Sequence, residues 1–559
     1  MDLVLDNRGV KLMKIVKLAQ EHLLKYKISL FVFAMMSLIT WVVSIVLPYL
    51  TGYYVDILNQ GPTRQEIKYF TLIILAVGLF NIIASFVKNY LHRTIQTKSM
   101  IDLNFYVLKH LVKLPVRYFE DKDSAYLNQR INNDSKEVIN FVLDNFVSII
   151  KNFLTVTVLI YISLTINVRL TLILLPLIPL YLGLYYLFRK PLYNKNYELK
   201  EKQNKFFSVM NQFLQKTKLI KLTATFREAH NQLEQSFKTM LLTFIKYTKL
   251  SLLFSNSDSF TKVLARVVVF FFGGLEIMNG NLTIGEFTII NSYFSMIKNG
   301  VSYFLGLGSS YQKALVAYDR LMGVLYQPKE TIGEVKIDNI NTIQLNDVSF
   351  SFDNSNYVIE TLNYKFEKGK IYCILGDNGT GKSTLINIVL GLYNDYYDGQ
   401  IYYNSNELRN LDMYYVRRKI VGVSEQEPML MNNLLINNMT FGIENYNYQD
   451  LKILLENLNF DPNKFKEGLR TNIEEGSKNI SGGEKLKISL IRTLLKDPEL
   501  LVLDEPTSAL DFQSIEKLKE LLIQTKHNRI TIVITHNKDF VDVADEIIDL
   551  NVSRVNNVS

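Results

Sequence analysis

Residues 376–383 read Gly-Asp-Asn-Gly-Thr-Gly-Lys-Ser, the spacing G-x-x-x-x-G-K-[ST], between an apolar run at 371–375 and a segment of helical pattern. Glycine carries no Cβ, so such a loop brings backbone N–H groups close to an anion, and the following helix adds the positive end of its dipole. The cradle would comprise Gly376, Asp377, Asn378, Gly379, Thr380, Gly381, Lys382, Ser383 and Thr384. Lys382 would bring its ammonium to the β- and γ-phosphates, and the Ser383 hydroxyl suits Mg²⁺. The chemistry is that of a nucleoside triphosphate held by its phosphates. The bland alternative is a fortuitous glycine-rich turn, and the strand–loop–helix context speaks against it.

Two further apolar runs end in groups that suit the same chemistry. Leu500-Leu-Val-Leu-Asp504-Glu505 reads as a buried parallel strand closing on two carboxylates. Asp504 would reach the metal, and Glu505 would polarise the attacking water. The run at 531–535 ends in His536, a plausible γ-phosphate contact beside a phosphate loop and otherwise a strand-end residue. Between them, Ile480-Ser481-Gly482-Gly483-Glu484 opens a helical segment at 485–496 and forms a second phosphate-binding design. One chain has no need of two such loops. Two chains placed head to tail do, because each would close the other's nucleotide.

Those residues sit in the second of two unlike halves. Residues 1–325 hold 37 Lys+Arg against 20 Asp+Glu, whereas residues 326–559 hold 25 against 34. With 48% hydrophobic and 21% charged residues, the chain reads as a membrane domain over 1–325 and a soluble domain over 326–559. A disulfide scaffold is excluded by Cys373 standing alone, and wholesale disorder by 33 Tyr and 33 Phe. The basic residues flank apolar spans, so topology explains them better than nucleic-acid binding.

Six spans are expected, at about 28–50, 68–91, 138–166, 168–189, 250–278 and 285–310. Each exceeds the ~20 residues that cross a bilayer core. Segments 1–27, 92–137 and 189–249 hold six, eight and thirteen Lys/Arg, while the alternate connections hold only Arg64. Both termini and the soluble half are therefore expected in the cytoplasm of a multi-pass membrane protein, and the Asn-, Lys-, Ile- and Tyr-rich usage points to a bacterial plasma membrane. The two long cytoplasmic connections are too long for hairpin turns, and helical spacing at Leu103, Tyr106, Val107, Leu111 and Leu114 extends the spans into the cytoplasm. The expected fold is a membrane α-helical bundle of six transmembrane helices with long cytoplasmic extensions, plus an α/β P-loop NTPase domain.

In their order, these motifs resemble the nucleotide-binding domain of an ATP-binding cassette transporter. The resemblance adds Phe352 as the aromatic that stacks on adenine, Gln426 as the metal-sensing Q-loop residue, and Asp511 in Ser508-Ala-Leu-Asp511 as the D-loop aspartate. It assigns Ser481-Gly482-Gly483 to the signature loop and Glu474-Glu475 to a cross-contact loop. ATP and Mg²⁺ are the implied cofactors, with Ser383, Gln426 and Asp504 at the metal. Two departures stand out: Glu484 replaces the usual Gln, and Phe352 the commoner Tyr. Neither removes a catalytic group. The membrane half resembles an exporter through the coupling-helix region around Pro115–Asp134 and the hairpin at Asn279–Gly285.

The resemblance implies a homodimeric half-transporter that exports by alternating access, driven by ATP hydrolysis. Coupling regions near 115–135 and 208–228 would dock on the Q-loop side. The cargo would be a peptide such as a bacteriocin or an amphipathic small molecule; a lipid, a lipid-linked glycan or a drug is the alternative. Lys151, Lys262, Arg266 and Lys298 fall at similar depth, ~18–24 Å from the outer ends of their spans, and would line a basic substrate cavity. Snorkelling or pairing with Asp144 and Asp258 is the competing reading. Only 27 residues precede the first span and none is Cys, so a leader-cleaving peptidase domain is not expected. Importers, soluble cassette factors and ATP-gated channels fit the fused, membrane-spanning layout less well.

Overall fold

The computed structural model describes all residues except 1, 121, 123, 353–355, 378, 537 and 552–559. It divides into two compact units, residues 1–109 with 125–326, and residues 110–124 with 327–559.

The first unit is all helix: α1 (Asp2–Leu23), α2 (Lys27–Asn59), α3 (Arg64–Leu111), α5 (Ser124–Ile166), α6 (Val168–Leu174), α7 (Leu177–Gln215), α8 (Thr217–Thr223), α9 (Phe226–Met278) and α10 (Ile284–Leu325); the short α4 (Arg117–Glu120) falls in the second unit. Four segments among the described residues are long and apolar enough to cross a membrane: Lys11–Asn59, Arg64–Leu111, Arg130–Ile166 and Val168–Gln215. Their outer faces stay apolar, with Ile82 and Phe86 66% and 69% exposed, which suits hydrocarbon and would be costly in water. The expected fifth and sixth spans lie inside α9 and α10 as helix, but charges such as Lys262, Arg266 and Lys298 interrupt their apolar runs. The fourth breaks between α6 and α7, where Pro176 lacks the N–H that would continue the α6 ladder, although Leu175 and Pro176 keep helical dihedrals.

Small residues set the helix spacing. A Cβ on Gly52 would collide with Ile289, and one on Gly285 with the Gly52 carbonyl and Asp56, so α2 and α10 meet backbone to backbone. Asp56 then accepts from the Thr283 hydroxyl (2.6 Å) and the Gly285 N–H (2.7 Å), beside the Thr283–Glu286 capping box that starts α10. Glu276, 5% exposed, ties the end of α9 to Arg169 (3.1 Å) and Asn281 (3.2 Å).

The second unit holds two sheets. An antiparallel sheet runs in the order β2 (Tyr357–Glu367), β1 (Thr342–Ser351), β4 (Tyr397–Tyr403), β5 (Asn406–Glu407). A parallel sheet runs β6 (Val421–Ser424), β7 (Leu500–Asp504), β8 (Ile530–Ile534), β3 (Ile371–Leu375), β9 (Glu546–Asp549). Strands β3, β7 and β8 are almost wholly buried, which is why they read as unbroken apolar runs rather than alternating ones. Helices α11 (Lys382–Val389), α12 (Met413–Lys419), α13 (Leu435–Met439), α14 (Tyr448–Asn457), α15 (Gly482–Leu495) and α16 (Phe512–Thr525) complete the unit. One hydrophobic core joins both sheets through Phe350, Tyr372 and Tyr403, and a second packs α14–α16 on the parallel sheet.

Candidate nucleotide site

Parallel strand order brings the chemistry together. Strands β3, β7 and β8 are neighbours, so the residues following their C-terminal ends converge on one edge, where α/β sheets carry ligand groups. There the glycine-rich loop leaves β3 for α11, Asp504 and Glu505 end β7, and Thr535 and His536 follow β8.

The loop has the conformation its glycines allow. Gly379 and Gly381 adopt φ of +82° and +98°, and a Cβ on Gly381 would stand 2.9 Å from Val358. Lys382 is buried, and its ammonium donates to the carbonyls of Gly376 (2.6 Å) and Asp377 (2.9 Å), inside the curve of the loop. Thr380 closes the turn on the Asp377 carbonyl at 2.9 Å. Asn378 lies outside the described residues.

Glu505 is the most constrained side chain of the group. It is 9% exposed and sits at φ +46°, a sparsely populated backbone region that needs external support. Its N–H donates to the Ile534 carbonyl (2.9 Å), Gln426 donates to one carboxylate oxygen (2.6 Å), and His536 Nδ1 lies 3.0 Å from the other. The expected hydrolytic carboxylate, Q-loop amide and strand-end histidine are thus one hydrogen-bonded set. Asp504, beside them, is pushed up to about 6 by burial and by Glu505, against the pull of Lys382.

Ser383, Gln426 and Asp504 line one cleft of about 630 Å³. Their hard oxygen donors fit Mg²⁺, which takes one or two carboxylates and completes its shell from water and substrate phosphates. Among the described residues no cluster of three His, Cys, Asp or Glu would hold a metal by itself.

The signature loop opens α15 as expected, with a start at Gly482 rather than 485. Ser481 is the N-cap, and Glu484 completes a capping box: its carboxylate accepts from the Ser481 N–H (2.9 Å) and hydroxyl (2.7 Å). The departure from Gln is therefore built into the helix start. Asp511 caps α16 through Ser514 and is held by Lys487 at 2.7 Å, which keeps its carboxyl well below the usual range.

Three contributors escaped sequence reasoning. Arg117, on α4, bonds the Phe352 carbonyl and stacks its guanidinium over the rings of Phe352 (5.9 Å) and Tyr396 (4.9 Å). Tyr393 stacks on Phe350 and donates to Glu120. Lys487 is the third, and the signal for it was its place less than two turns beyond Ser481. For the first coupling region, expected on the Q-loop side, these contacts are with the aromatic cluster around Phe352, because ring faces and a free carbonyl are what a guanidinium seeks.

In the helical unit, Lys151 is half-buried on α5, while Lys262 and Arg266 are exposed one turn apart on α9. Lys298 is 7% exposed on α10, its ammonium 4.8 Å from the Tyr181 ring centre. The side chain of Asp258 lies outside the described residues, and Asp144 contacts His92 at 2.7 Å.

Comparison with known proteins bears on the family of the chain. Residues 30–300 match the ABC transporter transmembrane region and residues 359–508 the ABC transporter domain. A Bacillus subtilis protein provisionally named for multidrug export, YgaD, is 25% identical across 96% of this chain and 94% of its own length. The lactococcin-A transport/processing protein LcnC of Lactococcus lactis is 23% identical across 87% of this chain and 68% of its own. The ATP-dependent lipid A-core flippase of Syntrophus aciditrophicus is 22% identical across 96% and 89%. A bacterial Atm1-family ABC exporter solved with ATP bound superposes with a TM-score of 0.75 at 16% identity, over 95% of this chain and 96% of the other, and so has the same fold. With a transporter's helical membrane region and an ATP-binding α/β domain fused on one polypeptide, the chain belongs to the ATP-binding cassette transporters, which couple ATP hydrolysis to transport.

Proposed function

We propose that two copies of this chain form an exporter of the bacterial plasma membrane, with both termini cytoplasmic, that expels a peptide or amphipathic compound by alternating access. The carrying observation is Glu505, buried and held between Gln426 and His536 beside the glycine-rich loop. A carboxylate fixed at both oxygens is oriented to accept a proton from a water attacking the γ-phosphate. Lys382 and the loop N–H groups would bind the phosphates, and Phe352 the base. Bound Mg²⁺ would neutralise the developing phosphate charge, held by Ser383, Gln426 and Asp504. The partner's Ser481 loop would close the same nucleotide, so ATP favours the joined state and its hydrolysis releases it. Lys/Arg enrichment in alternate connections supports the orientation.

Glu505→Gln tests the reading. Hydrolysis should fall by roughly 10²-fold or more while ATP binding persists; near-normal turnover would remove the role given to Glu505. The proposed basic substrate path of Lys151, Lys262, Arg266 and Lys298 is tested separately. Charge reversal of Lys298 and Arg266 to Glu should change substrate-stimulated hydrolysis, and an unchanged response would dismiss it.

A further inference from the structure

The chain leaves α10 at Leu325 and is pinned almost at once within the second unit. The Glu330 N–H donates to the Lys113 carbonyl (2.9 Å) and the Thr331 N–H to Asp395 (3.3 Å). Gly333 donates to the Leu411 carbonyl at 3.0 Å, and a Cβ there would stand 2.0 Å from the Asn410 backbone. Val335 donates to the Asn410 carbonyl and accepts from the Asp412 N–H. Backbone groups thus hold residues 330–335 without help from paired charges.

One side-chain contact in this segment is of another kind. The Arg417 guanidinium, in the last turn of α12, donates to the Glu330 carboxylate, and the two side chains are only 20% and 10% exposed. A shielded ion pair loses much of its Coulomb energy to desolvation, so it is a weak source of stability. It is directional, however, and fixes the relative position of the two elements that carry it. Here those elements are the segment after α10 and the helix that leads into the Q-loop strand.

Register shows what that position controls. Strand β6 pairs in parallel with β7, Ser424 opposite Leu503, and the same offset of 79 residues sets Gln426 opposite Glu505. The bond between those two side chains is 2.6 Å long. A strand advances about 3.3 Å per residue, so a displacement of one step along β6 breaks it. Only Ile420 separates α12 from β6. The Lys496 ammonium closes that junction by donating to the carbonyls of Arg417 and Val421, both at 2.6 Å. Arg417 also lines the cleft shared by Ser383, Gln426 and Asp504.

We infer that Glu330 and Arg417 are positioning residues for Gln426 and, through it, for Glu505: their ion pair ties the chain leaving α10 to the Q-loop strand. The inference rests on the reading of Glu505 as the hydrolytic carboxylate and extends the set that orients it. It gives the end of α10 a route to the hydrolytic site distinct from the coupling regions near 115–135 and 208–228.

The test uses the full chain in phosphatidylcholine nanodiscs, with kcat and KM for ATP hydrolysis and the thermal midpoint recorded for each variant. Glu330→Gln and Arg417→Gln should each lower kcat about fivefold to tenfold while the KM for ATP stays within about twofold. The double variant should be no slower than the slower single one, because the pair acts as a unit. Arg417→Lys keeps the charge and should recover most of kcat. Adding Arg417→Gln to Gln426→Ala should cause no further loss, since its effect passes through Gln426. Unchanged kcat with a lowered thermal midpoint would make the pair structural only and overturn the inference. Additive losses, or a raised KM at constant kcat, would overturn it equally. Should Arg417→Gln fail to fold, Glu330→Gln and Arg417→Lys carry the same test. A wild-type chain without hydrolysis, or normal turnover in Glu505→Gln, overturns the exporter reading instead.

Discussion

Glu484 shows how one atom's change acts through local geometry. In place of an amide it brings a carboxylate that accepts from both the N–H and the hydroxyl of Ser481. It therefore stabilises the start of α15 while placing negative charge where a partner's γ-phosphate would approach. Glu484→Gln keeps the side chain's shape and removes the charge. It should lower the KM for ATP by about threefold to tenfold with little change in fold, as read from steady-state hydrolysis; an unchanged KM would mean the capping box is structural only. The identity of this residue was visible in the sequence. Its occupation of the Ser481 hydroxyl was not, because that depends on the rotamer chosen at the helix start.

At the scale of elements, legibility followed burial. Strands β3, β7 and β8 stood out as apolar runs because both of their faces are covered. Three membrane segments stood out as uncharged runs, at 28–50, 69–87 and 170–188, and the span at 138–166 was read through Asp144 and Lys151. The last two were harder to read, since α9 and α10 carry Lys262, Arg266 and Lys298 within otherwise apolar stretches. The break at Pro176 was legible in principle, as proline removes a backbone donor. Arg117 marks the limit. It lies some 235 residues from Phe352 in sequence, and no periodicity links a four-residue helix in the connection between α3 and α5 to an aromatic cluster in the ATP-binding unit.

The whole molecule raises the question of completeness. A single chain presents two glycine-bearing helix starts, at Lys382 and at Gly482, and only one is accompanied by Asp504, Glu505 and His536. If each nucleotide is shared between copies, Ser481→Arg in the Glu505→Gln background should abolish ATP retention after gel filtration, although the variant's own glycine-rich loop is intact. Retention of ATP by particles of one chain would overturn the shared site.

The sequence by itself determined the chemistry. Motif spacing along a strand–loop–helix is local, so the phosphate loop, the paired carboxylates and the alternation of basic connections with apolar spans can all be read from one dimension. Tertiary structure alone decided which groups share a hydrogen bond: that Gln426 and His536 grip the two oxygens of Glu505, that Arg117 reaches Phe352, and that Lys298 lies against Tyr181. The physical reason is the same in each case. Strand order and helix packing join residues far apart in the chain, and hydrogen bonds and ring contacts act only over a few ångströms.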